Sequence, residues 1–252
     1  MTSDQLKRAL CFAFAICSIG AGVVRGQGGP PMITDDPGTP GDGKFEINLA
    51  IAFEHRPDET SLDSPAIDIN YGVGDRIQLT LQGGPVLLKR RDHGAIGGLG
   101  GTEAALKWRF IDDQQTGISM SMFPRVIFNI SRSAARRGLA EDGTRFQIPF
   151  EFAKAFPGFD VDLEWGPLVS TVGPAQWLYG IVVAVDVSKT AAIMAELHGT
   201  SRTNFSDDEL TVNFGIRQKL NEHCIFIGSL GHELRSQDAR ALIGYAGVQL
   251  LF

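Results

Sequence analysis

Charged residues in the middle of the chain recur at every second position. Asp160, Asp162 and Glu164 alternate with the apolar residues Val161 and Leu163. In a β-strand, this period of two sends the charged side chains to one face and the apolar side chains to the other. A face of fixed charges can hold or steer a polar solute by electrostatic attraction.

The sign of the charges changes along the chain. If the strands close into a barrel with the charged face inside, acidic and basic residues form opposite walls of a lumen, and a transverse field results. The alternative is that these groups pair across the lumen and only fill it. The candidate lumen-lining residues, which form a hypothetical solute path, are Lys107, Arg109, Arg125, Glu151, Asp160, Asp162, Glu164, Asp186, Glu196 and Arg217.

Other patterns that could carry chemistry are weak. His198 and Ser201 are three positions apart and point to opposite faces of a regular strand, which disfavours a hydrolase in which a histidine activates a serine. The histidines have no metal-ligand spacing, and the glycine run 94–101 lacks the pattern of a phosphate-binding loop. We therefore expect no catalytic residue, no metal and no cofactor.

The elements that must position the charges are strands. After residue 43, the chain contains segments of alternating or continuous apolar character, and none has convincing helical periodicity. The expected fold is all-β, a single transmembrane antiparallel up-and-down β-barrel of about twelve strands. A soluble β-sandwich or lipocalin-like barrel is the alternative. The segments are 44–55, 64–72, 76–84, 102–111, 117–130, 144–156, 159–166, 176–187, 191–199, 209–220, 223–234 and 238–252.

The connections indicate which face is inside. They alternate between short turns, such as 73–75 and 157–158, and longer loops, such as 56–63 and 85–101. Transmembrane barrels have short periplasmic turns and longer external loops, and an even strand number puts both termini on the short-turn side. Aromatic residues gather near both ends of the segments, as two membrane interfaces would require. The apolar face is therefore predicted to contact lipid.

The last segment, 238–252, is where the barrel must close. A final strand that pairs with the first strand leaves no exposed edge. Its even-numbered face has no charge, and we expect it to contact lipid and to be recognised by the barrel-insertion machinery. This candidate assembly signal consists of Leu242, Gly244, Ala246, Val248, Leu250 and Phe252.

Residues 1–26 have the features of a cleaved signal peptide. Lys7 and Arg8 precede an apolar core at 9–24, and Gly26 offers a cleavage site. Export of a barrel implies the outer membrane of a Gram-negative-type cell as its location. The expected partners there are outer-membrane lipids, lipopolysaccharide, the insertion machinery and a small-molecule solute.

The rest of the chain divides in two. Residues 27–43 are rich in Pro, Gly and Asp and are predicted to form an irregular periplasmic lead-in, whereas 44–252 form the barrel. The hydrophobic fraction of 43% is spread over strands, which excludes a helical membrane protein. A net charge of −6 disfavours nucleic-acid binding, which requires a basic surface.

Three local motifs resemble those of one family. They are PPMITDDPG at 30–38, DINYG at 68–72 and LKWRFI at 106–111. Together with the strand plan, they resemble the outer-membrane transporter family named for the MetA pathway of phenol degradation. The resemblance implies an outer-membrane channel, with small organic or aromatic compounds among its candidate solutes, and it supplies no catalytic residues.

The predicted function is passive diffusion of small solutes through the barrel. The first alternative is a non-transporting outer-membrane barrel with a packed lumen, which acts as a structural or interaction protein. The least favoured alternative is an outer-membrane hydrolase.

Overall fold

A computed structural model describes residues 28–113, 115–236 and 240–252. These residues form one short helix, α1 (Ala134–Arg137), and sixteen strand segments, and they include no helix with the length and apolar character needed to cross a membrane. The predicted signal peptide lies outside the described residues. The segments are β1 (Phe45–Arg56), β2 (Glu59–Val73), β3 (Ile77–Gly83), β4 (Pro85–Arg90), β5 (Ile96–Leu99), β6 (Thr102–Asp113), β7 (Ile118–Met122), β8 (Arg125–Phe128), β9 (Arg145–Gln147), β10 (Phe150–Phe156), β11 (Phe159–Ser170), β12 (Gln176–Asp186), β13 (Ala191–Arg202), β14 (Glu209–Lys219), β15 (Cys224–Arg235) and β16 (Leu242–Leu251).

The segments make one closed antiparallel barrel of twelve strands, because four strands are each divided in two. The divided strands are β3 with β4, β5 with β6, β7 with β8, and β9 with β10. Pro124 and Pro149 lie at two of the divisions, where a missing N–H interrupts the ladder. The predicted all-β barrel of about twelve strands is confirmed.

The first and last strands close the barrel. β1 pairs with β16 from Glu46 opposite Leu251 to His55 opposite Leu242. One residue beyond the Glu46–Leu251 end of this ladder, Phe45 and Phe252 exchange two backbone hydrogen bonds, each 3.0 Å long. The first and last strands therefore leave no open sheet edge at the closure of the barrel, as a membrane environment requires.

The barrel is polar inside and apolar outside. Interior side chains such as Asn48 and Glu151 have no exposed surface, whereas Ile51, Leu81 and Trp165 on the outer face are 52%, 53% and 51% exposed. A soluble β-sandwich or barrel has the opposite distribution. The fold therefore matches the transmembrane form of the prediction.

Two predicted loops are wrong. The expected loop at 56–63 is a two-residue turn at 57–58, because β1 and β2 stay paired up to Arg56 and Glu59. Residues 85–101 include β4 and β5, which form a hairpin that extends the barrel wall. The first half of β2, at 59–63, is mainly polar, so its apolar alternation stopped before the backbone ladder did.

Aromatic residues pair at both ends of the strands. At the short-turn end, the ring centroids of Phe45 and Tyr71 are 4.7 Å apart, and those of Phe156 and Phe159 are 4.9 Å apart. At the opposite end, the rings of Trp165 and Trp177 stack at 4.7 Å. The side chains thus contact one another across neighbouring strands, at depths where aromatic belts are typical.

Candidate functional site

The lumen is occupied by a segment of the same chain. Residues 28–38, called the plug below, follow an irregular path between the barrel walls and join β1 through residues 39–43. Thr39 and Gly43 fix this connection by hydrogen bonds of 2.9 and 3.0 Å to the carbonyl oxygens of Asp75 and Gly72, near the β2–β3 turn. The plug therefore enters from the short-turn end of the barrel.

The ten predicted lumen-lining residues all lie on inward-facing positions of the strand ladders. Lys107, Glu151, Asp162, Glu164 and Glu196 are 2% exposed or less. Arg125 and Arg217 are partly buried beside the plug. The remaining three predicted residues lie nearer the strand ends and are more exposed: Arg109, Asp160 and Asp186.

Four of these charges meet around one plug residue, Asp35. Lys107 Nζ lies 3.0 Å from the Asp35 carboxylate and 3.4 Å from Glu151. Arg125 Nη2 lies 2.6 Å from Glu164, 3.6 Å from Glu151 and 3.7 Å from Asp35. Such pairing offsets the large cost of taking these charges out of water. For this group, pairing across the lumen describes the geometry.

The charge on Asp35 is stabilised by its two cationic neighbours. Burial raises the pKa of Asp35, but the positive charges of Lys107 and Arg125 together outweigh burial and hold that pKa below its usual value. Phe123, 1% exposed, lies beside both cations, with its ring centroid 4.5 Å from Lys107 Nζ and 4.4 Å from Arg125 Cζ. The ring face adds a cation–π attraction and limits where the cations can move.

Two glutamates bind the plug main chain. Glu196 accepts the N–H groups of Ile33 and Thr34 at 2.9 and 2.5 Å, and it also accepts the Asn213 side-chain amide at 3.0 Å. Glu164 accepts the N–H of Asp35 at 3.2 Å. Hydrogen bonds to ionised acceptors are stronger than neutral ones. The plug therefore adds main-chain donors to two buried carboxylates, beside those that Asn213 and Arg125 provide.

The plug carbonyl groups are bound as well. Arg217 donates to the carbonyl oxygen of Pro30 at 2.9 Å, and Ser229 donates to that of Pro31 at 2.8 Å. Lys107 donates to the carbonyl oxygen of Asp36. These bonds compensate the three carbonyl groups for their removal from water.

Met32 anchors the plug by apolar contact. Its side chain is 5% exposed and packs with the inward-facing residues Val182, Ala184 and Met194. Gly215 leaves room for the Met32 side chain, since a Cβ atom there would collide with its terminal methyl group. Gly180 likewise makes room for Thr34. Glycine at these strand positions permits the close approach of a second chain segment.

The surfaces that contact the plug form one wall of the lumen, called the clamp wall below. It consists of the inward faces of β6, β8, β10, β11, β12, β13, β14 and β15.

The opposite wall has a second polar network that the sequence analysis did not select. This amide wall, on β1, β2 and β3, consists of Asn48, Asp68, Asn70, Gln78 and Thr80. Asp68 accepts hydrogen bonds from the amides of Asn48 and Asn70 at 2.9 and 3.1 Å, and Asn70 accepts bonds from Gln78 and Thr80 at 2.8 and 2.6 Å. These residues showed the same inward period of two, but most of them carry no charge.

The far end of the lumen is partly covered by the connection 129–144, which contains α1. Ala134 and Leu139 pack against Leu88 on the inward face of β4, and Arg137 donates a hydrogen bond of 2.8 Å to the carbonyl oxygen of Gly97. This connection is the longest one between described strands. It therefore narrows the mouth opposite the plug.

The hydrolase pattern is not assembled. His198 and Ser201 lie on a ladder without a register shift, which places them on opposite faces of β13. The Ser201 hydroxyl donates to Asp208 at 2.6 Å. Within residues 28–113, 115–236 and 240–252, no group of His, Cys, Asp and Glu side chains is placed to hold a metal ion.

The candidate assembly residues lie on the outer face of β16. Leu242 and Phe252 are 39% and 65% exposed, and Ala246 is opposite the exposed Ile51. Gln249, on the alternate face, is 3% exposed and points inward. The predicted parity of this strand therefore agrees with the structure, while its role in assembly stays a prediction.

Comparisons with known proteins identify the fold only. No family model and no curated protein sequence matches the chain. Among solved structures, an outer membrane channel from Pseudomonas putida F1 is similar with a TM-score of 0.61 and 14% identity, covering 84% of this chain and 96% of that one. The NanC porin has a TM-score of 0.62 and 6% identity, covering 81% and 98%. The KdgM porin has a TM-score of 0.55 and 12% identity, covering 81% and 99%.

Proposed function

We propose that the chain is an outer-membrane channel for passive diffusion of small solutes, closed by its plug in the conformation described above. The observation that carries this proposal is a polar lumen inside a closed barrel whose outer face is apolar. Twelve strands at the usual spacing and tilt give a lumen on the order of 10 Å wide, which suits small solutes. In the proposal, the ten inward-facing charged residues line the solute path once the plug has moved.

The names of the similar structures support a channel. They are porins and an outer membrane channel, and one KdgM structure is a complex with oligogalacturonate. Catalysis is not part of the proposal. The motifs at 30–38, 68–72 and 106–111 add support from their resemblance to the MetA-pathway transporter family, whose membership we also propose.

The outer surface supports the proposed location. A belt of exposed apolar side chains around a closed barrel is stable in hydrocarbon, and we propose lipids and lipopolysaccharide as its neighbours. We propose that residues 1–26 direct export, that 27–43 enter the barrel from the periplasmic side, and that 44–252 cross the outer membrane.

The packed-lumen alternative has one observation in its favour, which is the number of contacts that hold the plug. Ion pairs, main-chain hydrogen bonds and the Met32 pocket all bind it. If these contacts never open, the barrel is a structural or interaction protein. The two functions therefore differ in whether the plug leaves the lumen.

A reversible disulfide tests this difference. A Cβ atom at position 180 would lie 3.0 Å from the Cβ atom of Thr34, about half an ångström closer than in a relaxed disulfide. We would combine Thr34→Cys and Gly180→Cys with Cys224→Ser, which removes the remaining described cysteine. Single-channel conductance in planar bilayers is then measured before and after reduction, with each single cysteine variant as a control.

If the chain is a channel closed by its plug, the oxidised double variant should not conduct, and reduction should restore the conductance seen in the single variants. A barrel that is silent in every state, including the single variants, supports the packed lumen. Full conductance in the oxidised state shows that the plug does not block the path and contradicts the proposed closure.

The outer face of β16 has a proposed role in assembly. Removal of Phe252 deletes its two backbone hydrogen bonds to Phe45 and its exposed ring. We expect a smaller folded fraction, seen as heat-modifiable migration in detergent gels, and normal conductance in the barrels that do fold. Phe252→Tyr, which keeps the ring and both bonds, is the control, and equal folding of the deletion would contradict the proposal.

A further inference from the structure

The clamp wall binds mainly the main chain of the plug. Glu196 accepts the N–H groups of two consecutive residues, Arg217 and Ser229 donate to carbonyl oxygens of two others, and Lys107 donates to a third. Backbone N–H and C=O groups are common to every peptide. The donors and acceptors of this wall are therefore arranged for a peptide chain in general, in one direction and register.

Two side-chain pockets add selectivity. Lys107 and Arg125 receive the carboxylate of Asp35. Three positions earlier, Val182 and Met194 receive the Met32 side chain. By contrast, the Ile33 side chain is 41% exposed and is not selected. A ligand that satisfies this wall needs peptide groups, an apolar side chain and a carboxylate at these relative positions.

We propose that the clamp wall is a binding site for short acidic peptides, which take the place of the plug. The inference rests on the proposed function and names the solute class of the channel. A simple carboxylate solute would reproduce only the Asp35 contacts and would leave Glu196 without its N–H donors. A peptide reproduces both sets, so the compensated charges stay compensated when the plug moves out.

The first test separates the plug from the barrel. The probe is a synthetic peptide with the sequence of residues 28–38, GGPPMITDDPG, labelled with a fluorophore at its carboxyl end. It is titrated with the detergent-solubilised barrel lacking residues 28–38, and binding is followed by fluorescence anisotropy. We expect saturable binding, which an excess of unlabelled peptide reverses.

Changes in the peptide identify the contacts without risk to the barrel fold. Asp35→Asn removes the negative charge that faces Lys107 and Arg125. An N-methyl group on Thr34 removes one N–H donor to Glu196. Each change should weaken binding by about tenfold or more. Ile33→Ala alters only an exposed side chain and should bind within about twofold of the original peptide. Equal binding of a scrambled peptide, or no binding to a heat-modifiable barrel, would overturn the proposal.

A second measurement uses the full chain, in case the deleted barrel does not fold. In the Thr34→Cys, Cys224→Ser variant, the plug cysteine is buried and should react slowly with a water-soluble thiol reagent, since Thr34 is fully buried. Free plug peptide at millimolar concentration should raise this rate severalfold, and the scrambled peptide should not. An unchanged rate would overturn the proposal.

Peptide binding and conduction give separate readouts. If the barrel binds the peptide but never conducts, the proposed channel function is wrong and the proposed peptide site stands. A barrel that conducts but shows neither binding nor competition overturns the peptide site alone.

Discussion

The two walls of the lumen solve the same physical problem in different ways. Both place polar side chains in the interior, where an unpaired polar group is costly. In the amide wall, Asn70 and Asp68 are the acceptors for neighbouring side chains of the same wall. In the clamp wall, Glu196 and Lys107 have partners on the plug. The hydrogen bonds of the amide wall therefore stay among side chains of its own strands, and Asn48 Oδ1 and Asp68 Oδ1 have no partner among the described residues. The clamp wall instead depends on a bound segment for many of its partners.

The two walls are therefore expected to have different roles, one structural and one functional. A polar network whose hydrogen bonds lie within one wall rigidifies that part of the fold. A wall that depends on a separate segment has a bound and an unbound state, and ligands can shift the balance between those states. The following experiments test the contrast, from the largest expected effect to the smallest.

Deletion of residues 28–38 should have the largest effect. It removes the segment that fills the lumen and leaves the amide wall unchanged. We expect a change from a mostly closed barrel to one with steady conductance in planar bilayers. Deletion of 92–95 at the tip of the β4–β5 hairpin, which is outside the lumen contacts described above, is the control. If the barrel stays closed after loss of the plug, the plug does not close the lumen, and the proposed difference between the two walls is wrong.

Glu196→Ala should release the plug. It leaves the N–H groups of Ile33 and Thr34 without their acceptor, at about 1–3 kcal/mol for each buried group that stays unpaired. In the background with cysteine at position 34, thiol labelling should become about tenfold faster or more. Asn48→Ala, an equally buried change in the amide wall, should leave the labelling rate as it was. Faster labelling in both variants would mean that the walls are coupled.

Acid should remove the contribution of Asp35 to plug binding only below about pH 4. The pKa of Asp35 is lower in the folded state than its ordinary value of 3.8, so its contribution to plug binding is present above that value and is lost as the pH falls through the folded pKa. The ratio of the labelling rates of the cysteine at position 34 with Asp35 and with Asp35→Asn should therefore be constant from pH 7 to about 4, because thiol ionisation and the titration of other groups affect both variants. The two rates should converge below pH 4, and convergence near pH 6 would contradict the assignment.

Thr80→Val in the amide wall should have the smallest effect. The change deletes a hydroxyl group that donates to Asn70 at 2.6 Å and keeps the side-chain shape. We expect a loss of about 1 kcal/mol in the free energy of unfolding, measured by urea titration, and no change in plug labelling. Release of the plug by this variant would show that the amide wall takes part in binding.

The sequence predicted the barrel because the alternation of polar and apolar residues is visible within each short strand. The alternation of Asp160, Asp162 and Glu164 with apolar residues fixes both the strand and its inward face. The ends of strands were harder to predict. At 56–63, backbone pairing continues through polar residues, and polar residues in a hairpin have no period that distinguishes strand from loop.

The site was only half predictable. Lys107 and Glu151 were identified as inward charges, but their partner Asp35 was not, because the plug has no periodicity and its position depends on contacts distant in sequence. One signal was present. Gly180 and Gly215 interrupt inward strand faces, and glycine inside a strand indicates close approach of another backbone or side chain.

The short connection between the plug and β1 sets a threshold for any competing ligand. Residues 39–43 keep the plug beside its own site, and even a fully flexible tether of this length would correspond to an effective concentration in the millimolar range. A free ligand must exceed that concentration or bind more tightly than the plug to occupy the clamp wall. The barrel would therefore respond to abundance: scarce solutes meet an occupied site, and only a plentiful or better-fitting one gains entry.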